Sequence, residues 1–128
     1  MVFCSPENSL AARTRQLKAA DLQGQKWCLQ HRFSDTRRQF TLALLQRIPS
    51  IDIVLESDSL NILQQAVMCN IGMGCLPRPC IAQALTSGDL VELPIKDLAL
   101  GFPITVVTRR SVHKTTQHAD FVQTVLAH

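Results

Sequence analysis

Residues 53–77 read IVLESDSLNILQQAVMCNIGMGCLP, and this stretch decides the fold. Its first part, Ile53 to Leu55, is a short β-branched run that is typical of a strand. The polar residues Ser57, Asp58 and Ser59 follow, and each of them can cap a helix by accepting a backbone N–H. The stretch therefore begins as a strand that turns through a polar corner into a helix.

The second part of the stretch predicts that helix and the strand after it. Apolar residues recur at helical spacing and would form one stripe on the helix: Leu60, Leu63, Val67 and Ile71. Ile62 and Ala66 lie on the flank of this stripe. Gly72 is expected to let the chain leave the helix with a left-handed φ. Met73 to Leu76 is long enough for a buried strand, which Pro77 ends because proline has no N–H for a ladder. The whole stretch is a βαβ unit.

The rest of the chain continues the alternation of strands and helices. Strands are predicted at Val2–Cys4, Lys26–His31, Leu90–Leu93 and Ile104–Thr108, and helical segments at 18–22, 36–48, 79–87 and Thr116–Leu126. In the helix over 36–48 the inward stripe is Phe40, Leu44 and Ile48. Ile81, Ala84 and Leu85 point inward from the helix over 79–87, which ends at Gly88. The alternation predicts an α/β fold with a mostly parallel sheet and helices on both faces.

Two polar corners are the candidate binding site. One is His31–Thr36 and the other is Glu56–Ser59, and each lies between a strand and a helix N-terminus, where free N–H groups and the helix dipole favour an anion. Ligands of open α/β sheets bind at such strand ends. By position, Ser34, Thr36, Ser57 and Ser59 offer hydroxyls and Phe33 an apolar wall. The alternative is that the serines and the threonine only cap their helices, as these residue types commonly do.

Composition narrows the class of protein. Apolar residues make up 46% of the 128 residues and charged residues 18%, a balance that indicates a folded chain with its own core. The sequence has no apolar run of membrane-spanning length and no secretory leader, so we expect a soluble, cytoplasmic protein without membrane contact. The five cysteines form no C-x-x-C pair, which favours buried thiols over disulfides or a metal site.

The sequence motifs give little support to DNA binding, to a zinc site or to catalysis. The basic doublets Arg37-Arg38 and Arg109-Arg110 lack the setting of a recognition helix, so a solvated face is a better interpretation than DNA contact. His113 and His118 stand five residues apart, which is not the spacing of a zinc pair on one helix face. Cys28 and His31 fall on opposite faces of a strand, and neither nucleotide-binding nor hydrolase motifs occur. The sequence therefore predicts neither an enzyme nor a cofactor.

Several segments together resemble the effector-binding domain of LysR-type bacterial transcriptional regulators. The resemblance lies in SDSLNILQQAVMCNIGMGCLPRPC (57–80) and LTSGDLVELP (85–94), with weaker matches at VFCSPENSLA (2–11), LKAADLQGQKWCLQ (17–30), TRRQFTLAL (36–44) and ADFVQTVL (119–126). One departure is Asn8-Ser9, where the family has His-Pro. The matches follow the family's order and spacing along nearly the whole chain.

The resemblance implies the second lobe of a type 2 periplasmic-binding-protein-like fold. Residues 1–102 would form this effector-binding lobe, and 103–128 would be the return strand and C-terminal helix of the first lobe. We therefore expect a fragment of a longer regulator, whose helix-turn-helix domain, absent from this chain, makes the DNA contact. The implied partners are a small-molecule effector, held by Phe33, Ser34, Thr36, Ser57, Asp58 and Ser59, and further copies of the chain in a homo-oligomer.

Two alternatives remain open at this point. A solute-binding protein of similar fold that acts in transport would fit the same pattern of elements. An enzyme built on the fold is the other alternative, and Asp35, Glu56 and Asp58 are the carboxylates predicted near the cleft. A winged helix encoded upstream would favour the regulator, and a signal peptide there would favour transport.

Overall fold

The computed structural model describes residues 1–13, 16–101, 107 and 116–126 of the chain. Its strands are β1 (Val2–Cys4), β2 (Lys26–Leu29), β3 (Asp52–Glu56), β4 (Met73–Cys75) and β5 (Val91–Leu93). Its helices are α1 (Asp35–Leu45), α2 (Leu60–Met68), α3 (Arg78–Ser87) and α4 (Thr116–Leu126), with a 3-10 turn at Ala19–Leu22. The predicted elements within these ranges are present. The predicted strand Ile104–Thr108 lies outside the described residues except for Val107, as do the doublet Arg109-Arg110, His113 and the side chain of His118.

The five strands form one open sheet in the order β3-β2-β4-β1-β5. β2 pairs in parallel with both β3 and β4, whereas β1 is antiparallel to its neighbours β4 and β5. Four strands therefore run in one direction and β1 runs against them. This confirms the α/β class, and it adds an antiparallel strand to the interior of the sheet.

Helices cover both faces of the sheet because the crossovers change direction. The chain moves from β2 through α1 to β3 at the sheet edge, and then back through α2 past β2 to β4. Right-handed crossovers in opposite directions place their helices on opposite faces. Phe40 and Leu44 of α1 accordingly pack in one cluster with Trp27, while Leu63 and Val67 of α2 belong to the other.

Successive residues of a strand point to opposite faces of the sheet, so each strand contributes side chains to both apolar layers. On β1, Val2 and Cys4 face the α1 layer, and Phe3 faces the α2–α3 layer. The rings of Trp27 and Phe40 lie 4.8 Å apart between centroids, and both side chains are fully buried. Burying a side chain of this size contributes roughly 1.5–3 kcal/mol. These two layers fix the sheet and hence the ends of its strands.

Two details of α2 differ from the sequence prediction. Ile71 and Ile62 were expected on or beside the buried stripe, but they are 51% and 52% exposed. The helix ends at Met68, so Ile71 lies beyond it, and the buried face is centred on Leu63 and Val67 with Ile62 turned toward solvent. The apolar stripe is therefore shorter and narrower than its spacing indicated.

The exit from α2 also corrects the role given to Gly72. Asn70, and not Gly72, takes the left-handed conformation, with φ 58°. The Asn70 N–H donates to the Val67 carbonyl at 2.9 Å and the Ile71 N–H to the Ala66 carbonyl at 3.0 Å, which is a Schellman ending with asparagine at its turn position. Gly72 serves close packing instead, because a Cβ there would lie 2.9 Å from the Lys26 carbonyl oxygen.

Candidate functional site

Three loops leave the sheet at one end, which we call the carboxyl edge because β2, β3 and β4 all finish there. Loop 30–34 connects β2 to α1, loop 57–59 connects β3 to α2, and Leu76-Pro77 connects β4 to α3. Loop 30–34 runs to one face of the sheet and the other two run to the opposite face. Neighbouring loops that part in this way open a crevice at the strand ends, where α/β sheets bind ligands.

Loop 30–34 and the first turn of α1 contact loop 57–59 and the end of β3 through polar side chains. Arg37 Nη1 donates to Glu56 Oε2 at 2.5 Å, and His31 Nε2 lies 3.4 Å from Asp58 Oδ1. Arg37 Nη1 also donates to the Gln30 carbonyl oxygen at 3.0 Å. The two corners that the sequence predicted to lie together are therefore adjacent and cross-linked.

The hydroxyls of Ser34 and Ser59 cap α1 and α2, as the capping interpretation of the sequence predicted. The oxygen of Ser34 accepts from the Arg37 N–H, and the oxygen of Ser59 accepts from the Ile62 N–H at 3.3 Å. Ser57 Oγ accepts from the Ser59 N–H at 3.1 Å and so stabilises the loop, not a helix end. A hydroxyl that accepts one bond keeps a proton to donate, so these bonds are compatible with ligand contact for Ser57 and Ser59. The Ser34 hydroxyl donates its own proton to Gln30 Oε1 at 2.8 Å.

The other predicted site residues occupy the same edge. Thr36 lies in the first turn of α1 and is partly buried. Phe33 is 73% exposed at the tip of loop 30–34. Asp58 projects from loop 57–59 with its side chain 80% exposed. The carboxyl edge thus brings all six predicted residues to one end of the sheet, on two adjacent loops and the first turn of α1.

Arg37 and Gln30 are residues of this site that the sequence reasoning missed. We expected the Arg37-Arg38 doublet to be a solvated face, but the Arg37 side chain is only 15% exposed and bridges the Gln30 carbonyl to Glu56 at the end of β3. The sequence did contain a signal for the role of Arg37. An arginine in the first turn of a helix lies at the positive end of the helix dipole, which is unfavourable for a cation. Such a residue is better placed if a carboxylate on the adjacent parallel strand balances it, as Glu56 does.

The ion pairs set the charge of the edge. The hydrogen bond from the Arg37 side chain lowers the pKa of the Glu56 carboxyl below its ordinary value, and the charges of Arg37 and His31 and the Arg32 N–H add to this effect. Arg38 lies 3.4 Å from Asp35 one turn along α1. Glu56 and Asp35 are therefore each engaged with an arginine.

Three of the five cysteines lie buried in the strands, whereas Cys69 is exposed and Cys80 is half-buried. All five cysteines are free, and Cys4, Cys28 and Cys75 are buried. Burial raises the pKa of the Cys4 thiol and of the Cys75 thiol to about 11, so both are protonated at neutral pH and are poor nucleophiles. Within the described residues, His, Cys, Asp and Glu side chains form no cluster of three that could hold a metal ion. No helix in that part of the chain is long and apolar enough to cross a membrane.

The fold is of the type found in effector-binding domains, and comparison with known proteins identifies the family. The family model described as LysR substrate binding domain matches residues 1–128, so the chain belongs to this family. Members of the family are domains of transcriptional regulators, which is not a class of enzyme. The resemblance found in the sequence is thereby confirmed.

Relatives and solved structures agree with this assignment. An uncharacterized HTH-type transcriptional regulator, YfiE of Escherichia coli K12, is 36% identical over 58 residues, which are 45% of this chain and 20% of that protein. The CcmR regulatory domain of Synechocystis PCC6803 in complex with 2-PG has a TM-score of 0.73 at 16% identity, covering 98% of this chain and 60% of that one. The AmpR effector domain of Pseudomonas aeruginosa has a TM-score of 0.61 at 18% identity, covering 99% and 59%.

The chain is shorter than the proteins that it matches. It spans about a fifth of the length of the curated relative and three fifths of the CcmR regulatory domain. The shared structure shows the fold, a mixed α/β lobe with a five-stranded open sheet.

Proposed function

We propose that this chain is the ligand-sensing part of a cytoplasmic LysR-type DNA-binding transcriptional regulator. Its carboxyl edge would bind a small anionic metabolite in the cleft between this lobe and the first lobe, to which 103–128 would contribute. Phe33, Ser34, Thr36, Ser57, Asp58 and Ser59 would line this site. The observation that carries the proposal is the cross-linked pair of loops 30–34 and 57–59 at the strand ends of a LysR family fold.

The helix ends support an anionic ligand. α1, α2 and α3 all begin at the carboxyl edge, at Ser34, Ser59 and Pro77. The N-terminus of a helix carries backbone N–H groups and a partial positive charge, each of which favours an anion. The solved CcmR regulatory domain, which shares this fold, was obtained in complex with 2-PG.

Control of transcription would follow from coupling between the ligand and the arrangement of subunits. A ligand that contacts both lobes favours the closed arrangement over the open one by its difference in affinity for the two. In a homo-oligomer that holds DNA through separate helix-turn-helix domains, closure would shift the spacing of those domains. Because such coupling is reciprocal, operator DNA would change the affinity for the ligand by the same factor.

The test uses the full-length regulator that carries this lobe, with a reporter gene under its operator. Ser57→Trp and Ser59→Trp should abolish or strongly weaken the response to the inducing metabolite while operator binding in gel-shift assays stays intact. Thr86→Trp is the matched control, because Thr86 is an exposed residue of α3 in the last turn of the helix, away from the edge. A dose-response that both serine variants leave unchanged would place the effector site elsewhere.

A second test concerns DNA contact. The 128-residue chain alone should bind operator DNA no better than unrelated DNA, and what binding exists should fall steeply as salt rises, because only scattered Lys and Arg contribute. Operator-selective binding by this chain would contradict the assignment of DNA contact to a separate domain. A protein of the transport type would instead bind its ligand without any effect on a promoter.

A further inference from the structure

The arginines of loop 30–34 and the first turn of α1 differ in their partners. Arg37 pairs with Glu56, and Arg38 pairs with Asp35. Arg32 is the remaining arginine of this segment, and no carboxylate pairs with it among the residues that the structure describes. Its guanidinium therefore has no acidic side chain as a partner in that part of the chain.

Arg32 is placed against an exposed aromatic ring. Its guanidinium carbon lies 4.9 Å from the centroid of the Phe33 ring, which is 73% exposed. The Arg32 side chain is exposed as well, and a guanidinium carries five N–H donors in one plane. The pair thus offers hydrogen-bond donors beside an apolar surface, both open to solvent.

Hydrogen bonds hold the loop that carries this pair in one shape. The Phe33 N–H donates to His31 Nδ1 at 3.2 Å, and the Ser34 N–H donates to the His31 carbonyl at 3.0 Å. His31 Nε2 in turn faces Asp58 of loop 57–59. A binding group that is fixed before the ligand arrives loses less entropy on binding than a mobile one.

We infer that Arg32 is the residue that reads the charge of the ligand, and that the ligand is a carboxylate with an apolar body. The carboxylate would accept two parallel N–H bonds from the Arg32 guanidinium, and the apolar body would lie on Phe33 and cover it. Arg37 does not serve this purpose, because Glu56 already neutralises it. This inference rests on the proposed function and adds to it the chemical class of the ligand and a residue outside the predicted set.

The experiment measures backbone amide chemical shifts of the ¹⁵N-labelled two-lobed regulatory domain that contains this chain, during titration with four probes: phenylacetate, phenylacetamide, acetate and inorganic phosphate. Phenylacetate should shift the resonances of residues 31–34 and 57–59, and it should bind more tightly than the other three. Phenylacetamide has the ring without the charge, and acetate and phosphate have charge without the ring. Arg32→Gln should weaken phenylacetate binding by about tenfold or more, which is typical for loss of a charged hydrogen-bonding partner.

Three further variants make the result specific. Arg32→Lys keeps the charge but loses the planar fork, so its affinity should fall between those of the wild type and Arg32→Gln. Phe33→Ser should weaken phenylacetate while leaving acetate unchanged. Arg38→Gln, which removes one charge from the same end of α1, should bind phenylacetate as the wild type does.

Each contrary result overturns a different statement. Equal binding of phenylacetate by the wild type and Arg32→Gln, with shifts still at residues 31–34 and 57–59, would overturn the role of Arg32 and leave the proposed site standing. Equal shifts with phenylacetate and phenylacetamide, or tighter binding of phosphate, would overturn the carboxylate class. The absence of shifts at both loops with every probe would overturn the inference as a whole, while the reporter assay with Ser57→Trp tests the proposed function independently.

Discussion

The sheet interior and the carboxyl edge are built from opposite kinds of contact. In the interior, Phe3 and Gly74 of neighbouring strands lie so close that a Cβ at position 74 would be 2.4 Å from the Phe3 ring. At the edge, the connections are polar contacts such as that between His31 and Asp58, whose side chains are 43% and 80% exposed. The interior is held by packing that tolerates no added atom, and the edge by polar contacts that water can replace.

This difference separates the stability of the lobe from its function. Exposed ion pairs contribute about 0–1 kcal/mol each, so a ligand that displaces one costs the fold little. Burial of the large apolar side chains contributes several times as much per residue. Substitutions in the interior should therefore change the free energy of unfolding, and substitutions at the edge should change ligand response.

The largest effect is expected for Phe40→Ala in α1. Phe40 is fully buried against Trp27, so its loss leaves a cavity between α1 and the sheet. The free energy of unfolding, measured by urea denaturation, should fall by about 3–5 kcal/mol. Leu42→Ala on the same helix is the control, since Leu42 is 64% exposed and should change stability by less than about 0.5 kcal/mol. Similar losses for the two variants would contradict the packing of α1 described here.

The next effect is expected for Gly74→Ala in β4, which would push a methyl group into the Phe3 ring. Overpacking of this kind should reduce the free energy of unfolding by about 1–3 kcal/mol. Gly101→Ala should be neutral by comparison, because nothing lies within 4 Å of an added Cβ there. Phe3→Leu in the Gly74→Ala background should restore part of the loss, and strict additivity of the two changes would argue against the contact.

A smaller effect is expected for Ser59→Ala, which removes the N-cap of α2. Loss of the hydroxyl that accepts from the Ile62 N–H should cost about 1 kcal/mol in urea denaturation. Ser59→Asp retains an acceptor and should recover most of the stability. If Ser59→Ala were as stable as the wild type while ligand response was lost, the hydroxyl would serve the ligand and not the helix.

The smallest effect concerns pH and the pair of Glu56 with Arg37. Because the folded-state pKa of Glu56 lies below its ordinary value of 4.5, the pair stabilises the joined loops above that pH, and this stabilisation is lost as pH falls through the lowered pKa. An NMR titration of the Glu56 side chain should show its pKa rising toward the ordinary value in Arg37→Gln. Identical titration curves in the two proteins would show that Arg37 does not set the charge of this carboxyl.

Part of the fold could be predicted because local signals were strong. Phe40, Leu44 and Ile48 are buried as their spacing indicated, and Gly88 ends α3 with φ 82°. α4 has the predicted bounds Thr116–Leu126. The exit from α2 was predicted at the wrong residue, because asparagine at position 70 supplies the left-handed turn that glycine usually supplies. Gly72 is instead required by the nearby Lys26 carbonyl, a contact between segments that are distant in sequence.

In the candidate site, too, local features could be predicted and contacts between distant segments could not. Ser34 and Ser59 were recognisable as cap residues after strand ends, since capping depends on a few consecutive residues. The bridge from Arg37 to Glu56 could not be predicted, because it depends on β2 and β3 being neighbours in parallel register. A doublet such as Arg37-Arg38 looks the same in sequence whether one member is solvated or both are.

The sequence by itself determined the elements of this protein, its polar corners and its LysR-type effector-domain character. Periodicity, caps and turn residues act within a few positions of the chain, so they can be recognised without knowledge of what packs against them. Only the tertiary structure decided the strand order, the antiparallel course of β1 and the ion pairs that, within the described residues, leave Arg32 without a carboxylate partner. The reason is that these features depend on which distant segments meet, and that is fixed by packing in two apolar layers, not by any local pattern.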